Sequence, residues 1–462
     1  MSYVNKIPRG IEKRFSPLRR GLLRVGGVTG LSLAAGASPW SSFLSDARAG
    51  DYKALVCVFL NGGNDGNDTL IPVDAAYNDY AQARGAMALP KDSLVTLAGT
   101  HNGSRYAMHP GLRPLATMFD AGRLAWVTNV GPLVAPLTIS DARALRNMPP
   151  YLMSHSDQVA AQQGWLYSDD QSGWGGRAIE ALPAALRGKL ANVSIADTGQ
   201  LATGQQIAPR RVLMKEWTGA WGSADLKSDT NPATPALRAL FAPTFSDQVE
   251  ASYAQALREA SDDATSLATA FGSAIKGTEF PATAIGEQLK QVAQMISVRQ
   301  QVAAVRQVFL IDWGSFDTHS HQRGRDFGGQ DGQLEDLGAA LNVFDQSLKA
   351  QGVSGDVTTF MMTDMGRTLQ PSGEAGTDHA WANHFFAFGD AVKGGKLYGT
   401  FPELRLGGAD DYDFERRGRF MPTTATDQFA ATLVSWLGVP ANQIATVFPN
   451  LAGFSSSNLG FL

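Results

Sequence analysis

Four short segments of this sequence gather side chains able to ligate a metal or move a proton, and five of its seven histidines fall in three of them. Asn61-Gly-Gly-Asn-Asp65-Gly-Asn-Asp68-Thr69 joins glycines, which permit tight backbone geometry, to Asp65 and Asp68, hard oxygen ligands for a cation; the same composition makes an ordinary polar turn. Ser154-His155-Ser156-Asp157 sets a hydroxyl beside an imidazole, as a nucleophile and its base require, although Ser154 is equally suited to capping a helix. In Asp312-Trp-Gly-Ser-Phe-Asp317-Thr-His319-Ser-His321, the Asp-x-His spacing puts two ligand types on one side of an extended segment, which suits Zn²⁺ or a similar ion. The fourth segment is Thr363-Asp364-Met-Gly-Arg367-Thr368 followed, beyond a Pro-Ser-Gly loop, by Gly376-Thr-Asp378-His379-Ala-Trp-Ala-Asn383-His384. Asp364 ends an apolar run, where a carboxylate needs a metal or a cation such as Arg367 as its partner.

These segments follow apolar runs. Ala54–Leu60, Leu124–Val130, Val308–Ile311 and Val357–Thr363 are continuously hydrophobic, which predicts strands buried on both faces of a parallel sheet. Helical stripes separate them: Ile285, Leu289, Val292, Met295, Ile296 and Val302 before the third run, then Leu334, Leu337, Leu341, Phe344 and Leu348, stopped at Gly352, before the fourth. A last helix carries Phe429, Leu433, Trp436 and Leu437, with Thr426 as its cap and Gly438 and Pro440 beyond its end. Such alternation predicts an α/β body with a mostly parallel, doubly wound central sheet, and sheets of this kind collect ligands outside the carboxyl ends of their strands. Residues 160–280, with Gly/Ser/Asp/Thr-rich loops around short helices, read as a cap or insertion.

The 462 residues are 44% hydrophobic and 18% charged, enough apolar surface to offset ordering entropy, and one cysteine closes no internal disulfide. Cys57 lies inside the first apolar run and reads as a buried structural thiol. The net charge of −4 is uneven: residues 1–49 hold eight Lys/Arg against Glu12 and Asp46, leaving 31 basic and 41 acidic groups in the rest. A body this acidic is a poor nucleic-acid binder. The basic head contains Arg19-Arg20, a weakly apolar stretch over Val25–Ala37 and Ala47-Arg48-Ala49, the pattern of a twin-arginine signal peptide cleaved near Ala49-Gly50. Its apolar stretch is too short and glycine-rich for a stable membrane span, so the twin-arginine export machinery is the expected partner and the periplasm or exterior the expected location.

At the four segments the sequence resembles the domain-of-unknown-function 1501 (DUF1501) family. The resemblance runs through Leu60-Asn-Gly-Gly-Asn-Asp-Gly-Asn-Asp-Thr69, Met108-His-Pro-Gly-Leu112, Gly122-Arg-Leu124, Ser154-His155, Phe316-Asp-Thr-His319, Met365-Gly-Arg367, Gly376-Thr-Asp-His379, and Gly394-Gly395 through Tyr398-Gly399. That family is grouped with the alkaline-phosphatase/sulfatase superfamily, so the resemblance implies a three-layer α/β/α sandwich and an exported, metal-dependent hydrolase of small-molecule or polymeric phosphate or sulfate esters. By position it implies Asp65 as the first-strand metal ligand, Asp317 and His319 as a ligand pair, Asp364 as the later strand-end carboxylate and His379 as the last histidine, around a divalent ion of the Zn, Ca or Mg class. Ser154 then looks like the nucleophile and Arg367 like a binder of the substrate oxyanion. Asp364-Met365 departs from the superfamily's Asp-His pair, and Asp317-Thr-His319 is spaced more tightly than the phosphatase pattern. The alternative is a non-catalytic periplasmic or envelope protein that keeps the fold for binding or assembly. A redox enzyme is disfavoured, since no G-x-G-x-x-G follows the first strand and no cysteine cluster exists for iron–sulfur ligation.

Overall fold

The first apolar run forms strand β1 (Lys53–Leu60), and its side chains divide by parity. Ala54, Val56, Val58 and Leu60 enter one hydrophobic core, while Leu55, Cys57 and Phe59 enter a second. Side chains alternate across a strand, so a run with no polar position must be covered on both faces. The computed structural model describes residues 52–462 apart from 165–169, 189, 196–198, 212–233, 243–244 and 276. The basic head and its cleavage motif lie outside the described residues, as does part of the 160–280 segment.

Eight further strands complete the central sheet: β2 (Leu124–Gly131), β3 (Asn192–Ser194), β4 (Arg210–Arg211), β5 (Arg306–Trp313), β6 (Val357–Thr363), β7 (Asn383–Phe388), β8 (Lys396–Tyr398) and β9 (Thr424–Ala425). Their order is β8-β2-β7-β6-β1-β5-β3-β4, with β9 also paired to β2. Every pairing is parallel except those of β7, which runs antiparallel to both β2 and β6. The expected mostly parallel α/β sheet is present, as a mixed sheet.

One core lies under helices Ala284–Ser297 and Gln330–Ala350, the other under Trp174–Ala181 and Thr426–Leu437, giving three layers. The helical stripes hold: Ile285, Leu289, Val292, Met295 and Ile296 are buried on the first helix, and Leu334 to Leu348 on the second. Val302 lies beyond the end of its helix, and Thr426 is the first helical residue rather than the cap, which is Ala425. Gly438, at φ +112°, closes the last helix in a conformation that disfavours a side chain.

Parallel register aligns the strand ends that matter. Leu60 of β1 pairs with both Trp313 of β5 and Thr363 of β6, so three chains leave the sheet side by side. The loops that follow are the segments rich in Asp and His, and they are stitched together by backbone bonds from Asn61 N to Trp313 O, Phe316 N to Asn61 O and Thr377 N to Thr318 O. The chain returns from this rim as a two-stranded ribbon pairing Gly366–Arg367 with His379–Ala380.

Candidate metal centre

Three imidazoles and one carboxylate converge above these strand ends. His155 opens helix His155–Gln163, Asp317 and His319 follow β5, and His379 sits on the ribbon after β6. Nε2 of His379 lies 3.1 Å from His155 Nε2, 3.0 Å from His319 Nε2 and 3.1 Å from Asp317 Oδ1. Asp317 Oδ1 is also 2.9 Å from His319 Nε2 and 3.4 Å from His155 Nε2. Ligand atoms of His155, Asp317 and His379 all lie within 4.8 Å of one another, and His319 touches two of these three residues.

Each histidine is held by its other nitrogen. His155 Nδ1 meets Asp364 Oδ2 at 2.6 Å, His319 Nδ1 meets Asp378 Oδ1 at 3.0 Å, and His379 Nδ1 meets the Met153 carbonyl at 2.8 Å. A carbonyl only accepts, so His379 carries its proton on Nδ1 and turns a bare Nε2 lone pair inward. Asp364 Oδ2 and Asp378 Oδ1, as acceptors, favour the same tautomer on His155 and His319. Nitrogen lone pairs facing each other at about 3 Å repel, and a cation between them relieves that repulsion. A tetrahedron with bonds of roughly 2.0–2.1 Å has edges of about 3.3 Å, close to these separations. Carboxylate or carbonyl on the far nitrogen is also how metal-binding histidines are oriented. The donor set therefore fits a divalent ion of the zinc type, held by His155, Asp317 and His379 with His319 beside them.

Charge sharpens the arrangement. Burial works to raise the Asp317 carboxyl, but the Arg367 guanidinium, with His319 and His379, holds it down to about 2. The hydrogen bond to Asp364 raises His155 above its ordinary value, against burial. Burial lowers His379. Asp378 stays below the usual carboxylate range because Arg417 and His319 outweigh its burial.

The other sequence-predicted residues take different places. Asp364 is buried and orients His155, a step back from the ligand atoms. Asp65 is outside the ligand group: its fully buried carboxylate pairs with Arg84 NH2 at 2.6 Å and accepts from Gln322. Burial raises the Asp65 carboxyl against the Arg84 charge, and a carboxylate so placed needs that guanidinium. Arg367 turns inward rather than toward a substrate. It donates to the carbonyls of Gly62, Gly63, Phe316 and Thr377 and to Asp317 Oδ1 (2.5 Å), and its side chain is wholly buried, out of reach of a substrate oxyanion. Gly62 and Gly63 present those carbonyls at φ +96° and +72°, and a Cβ on Gly62 would stand 2.5 Å from Asp317 N. Ser154 is the N-cap residue of helix His155–Gln163, but its Oγ donates to Asp157 Oδ2 (2.5 Å) and lies 3.3 Å from Ser156 Oγ instead of capping the backbone.

His155 is the residue that sequence reasoning placed beside a serine and did not count as a ligand. Its signal was membership of the histidine cluster. Two other histidines of that cluster do not join: His384 is buried, accepts from Asn129 N–H and stacks on Phe401 at 4.7 Å, and His321 lies against Phe327 in a tilted ring contact at 4.9 Å. A cleft of about 470 Å³ opens beside His155, lined also by Asn61, Ser156, Val159, Gln163, Gln200 and Asp312.

No curated protein matches this sequence. Among solved structures, the chain is similar to Ps i-CgsB in complex with k-i-k-neocarrahexaose, at 10% identity and TM-score 0.36 over 87% of this chain and 75% of the other. It is similar also to the PsFucS1 sulfatase from Pseudoalteromonas sp. (12% identity, TM-score 0.30, 87% and 75% covered) and to the phosphonate monoester hydrolase of Agrobacterium radiobacter (10%, 0.31, 84% and 74%). Residues 52–413, which include every ligand-bearing loop described above, match the family "Protein of unknown function (DUF1501)", and the chain belongs to that family.

Proposed function

We propose that this protein is an exported metal-dependent hydrolase of phosphate or sulfate esters. The observation that carries the reading is the convergence of His155, Asp317 and His379 at the carboxyl ends of β1, β5 and β6, with the second nitrogen of each imidazole already committed. A divalent ion bound there supplies Lewis acidity to an alcohol nucleophile and neutralises charge on the group being transferred. The chain's own contribution is position and proton transfer. Ser154 Oγ bonds to the phosphorus or sulfur as the ester oxygen departs and takes a proton from water, the Oγ proton passing to Asp157 Oδ2, 2.5 Å away. Water then cleaves the Ser154 ester, releasing phosphate or sulfate and restoring the hydroxyl. The cleft beside His155 receives the rest of the ester. Asp317, held ionised by Arg367, keeps its charge at any pH where the histidines are neutral.

The cleft lining favours one further reading, an envelope protein that binds without turnover, because it contains neither Lys nor Arg among the described residues to grip an oxyanion. One experiment decides between them. Purified protein is analysed for Zn, Ca, Mg and other divalent metals, then assayed with p-nitrophenyl phosphate and p-nitrophenyl sulfate as wild type, Ser154→Ala and His379→Ala. Bound metal with turnover lost in both variants supports the hydrolase; a folded protein without turnover, with or without metal, supports the binding protein, and absence of metal with normal folding removes the metal-dependent hydrolase.

A further inference from the structure

Asp65 and Asp68 are the carboxylates of the Asn61–Thr69 segment, and they meet at one side chain. Gln322 is fully buried and uses its whole amide. Nε2 donates to Asp65 Oδ2 (2.8 Å) and Asp68 Oδ2 (3.0 Å), while Oε1 accepts from Thr318 Oγ1 (3.1 Å) and Thr377 Oγ1 (2.6 Å). Ionised carboxylates only accept, so the amide has one orientation: nitrogen toward the acids, oxygen toward the threonines. Reversing it would face a carbonyl to two carboxylates in a buried site, where unpaired polar groups are costly. Arg84 pairs with both acids and Arg323 with Asp68, so the negative charge that fixes the amide is itself held in place.

The two threonines are where this matters. Thr318 lies between Asp317 and His319, and Thr377 immediately precedes Asp378 and His379. Their backbones are joined by Thr377 N–H to Thr318 O at 3.0 Å. Gln322 thus clamps both loops that supply ligands from β5 and from the ribbon after β6. We propose that Gln322 is a positioning residue of the metal centre, a pivot through which the buried Asp65–Asp68 pair sets the separation of Asp317 and His379. The inference rests on the metal reading above, and it gives Asp65 and Asp68 a role at the centre without ligation.

The test measures Zn²⁺ and Co²⁺ affinity of the purified chain by competition with a chromophoric chelator, the visible spectrum of the Co²⁺ form as a readout of ligand geometry, and near-ultraviolet circular dichroism as a check of folding. Gln322→Met is expected to lower affinity by roughly 10–100-fold and change the cobalt spectrum. That variant strips a donor from both acids and risks unfolding, so Thr377→Val and Thr377→Ser carry the decision. Valine removes one hydroxyl and leaves Gln322 and the charges untouched; an affinity loss of about tenfold with an altered cobalt spectrum is expected, and serine restores both. A folded Thr377→Val protein with wild-type affinity and spectrum overturns the pivot and leaves the metal reading standing. A wild type that binds neither ion overturns the metal reading and the pivot with it.

Discussion

Replacing Arg367 with methionine separates two roles that its residue type leaves open, substrate binding and loop anchoring. The guanidinium donates to Gly63 O (2.8 Å), Phe316 O (3.1 Å), Thr377 O (3.1 Å), Gly62 O and Asp317 Oδ1 (2.5 Å), and its side chain is 0% exposed. Methionine fills the volume and returns no donor, so the carbonyls of Gly62, Gly63 and Thr377 lose their partner, while Phe316 O keeps Thr318 N–H at 2.7 Å. At the low end of about 1–3 kcal/mol per stranded group, these three carbonyls account for about 3 kcal/mol. The Asp317 pair adds little to that figure, because its carboxylate is 41% exposed and screened by water. With an unfolding entropy of about 2.1 cal/mol/K per residue over roughly 400 residues, about 3 kcal/mol lowers the melting temperature by about 4 °C. Scanning calorimetry at pH 7 measures this directly, and zinc affinity is expected to fall in the same variant as Asp317 loses its anchor. The sign with pH follows from the depressed Asp317 carboxyl. Its contribution to stability is present above the ordinary carboxylate range and lost as pH falls through about 2, so the wild-type advantage shrinks on acidification. A variant that melts within a degree of wild type and shows only a raised KM for an ester would refute the anchoring argument and return Arg367 to the substrate.

Three further outcomes are expected. Asp364→Ala removes the carboxylate behind His155 and is expected to weaken zinc binding by roughly 10–100-fold in chelator competition; unchanged affinity would mean that His155 needs no orientation. Burial pushes Asp427, in the first turn of the last helix, up to about 7 against the Arg177 charge, so the folded state holds this proton more tightly than the unfolded one. Stability from that group is present below the unfolded value and lost as pH rises through about 7; Asp427→Asn, which cannot ionise, is expected to melt above wild type at pH 8 and with it near pH 4, and equal melting curves at both pH values would count against the raised carboxyl. Arg19-Arg20 changed to Lys-Lys is expected to leave the chain unprocessed in the cytoplasm when cells are fractionated, and continued export would discard the twin-arginine reading.

Long buried elements were legible in the sequence because their signal is periodic. The run Val357–Thr363 coincides with β6, and the other three apolar runs lie inside β1, β2 and β5 with ends extended by one or two residues. What escaped was short or reversed. β3, β4, β8 and β9 span two or three residues each and hold no period to read. β7 is longer, with Phe385, Phe386, Ala387 and Phe388 alternating between the two cores, but it begins at Asn383-His384 inside a segment rich in site-like residues. Its antiparallel direction depends on how the ribbon after β6 doubles back, which is a tertiary fact.

The site divided along the same line. Residue type told that Asp317, His319 and His379 sit at strand ends with ligand chemistry, because the sheet's parallel register brings every such loop to one rim. Residue type could not tell which carboxylates face the imidazole cluster and which are buried against an arginine. A fully buried carboxylate must be paired, and the pairing decides its role. Asp65 finds Arg84 on a helix nineteen residues further on, and Asp68 finds Arg323 in the loop after β5; neither arginine stands in a motif. Arg367 looked free for an oxyanion because its acceptors are four backbone carbonyls, which no side-chain pattern announces. Asp317, although paired with Arg367, remains partly exposed and turns the same oxygen to three imidazoles, whereas Asp65 and Asp68 are fully buried against arginines. Exposure and counter-charge together, rather than position in a motif, are what separate candidate ligand from scaffold among the acids of this rim.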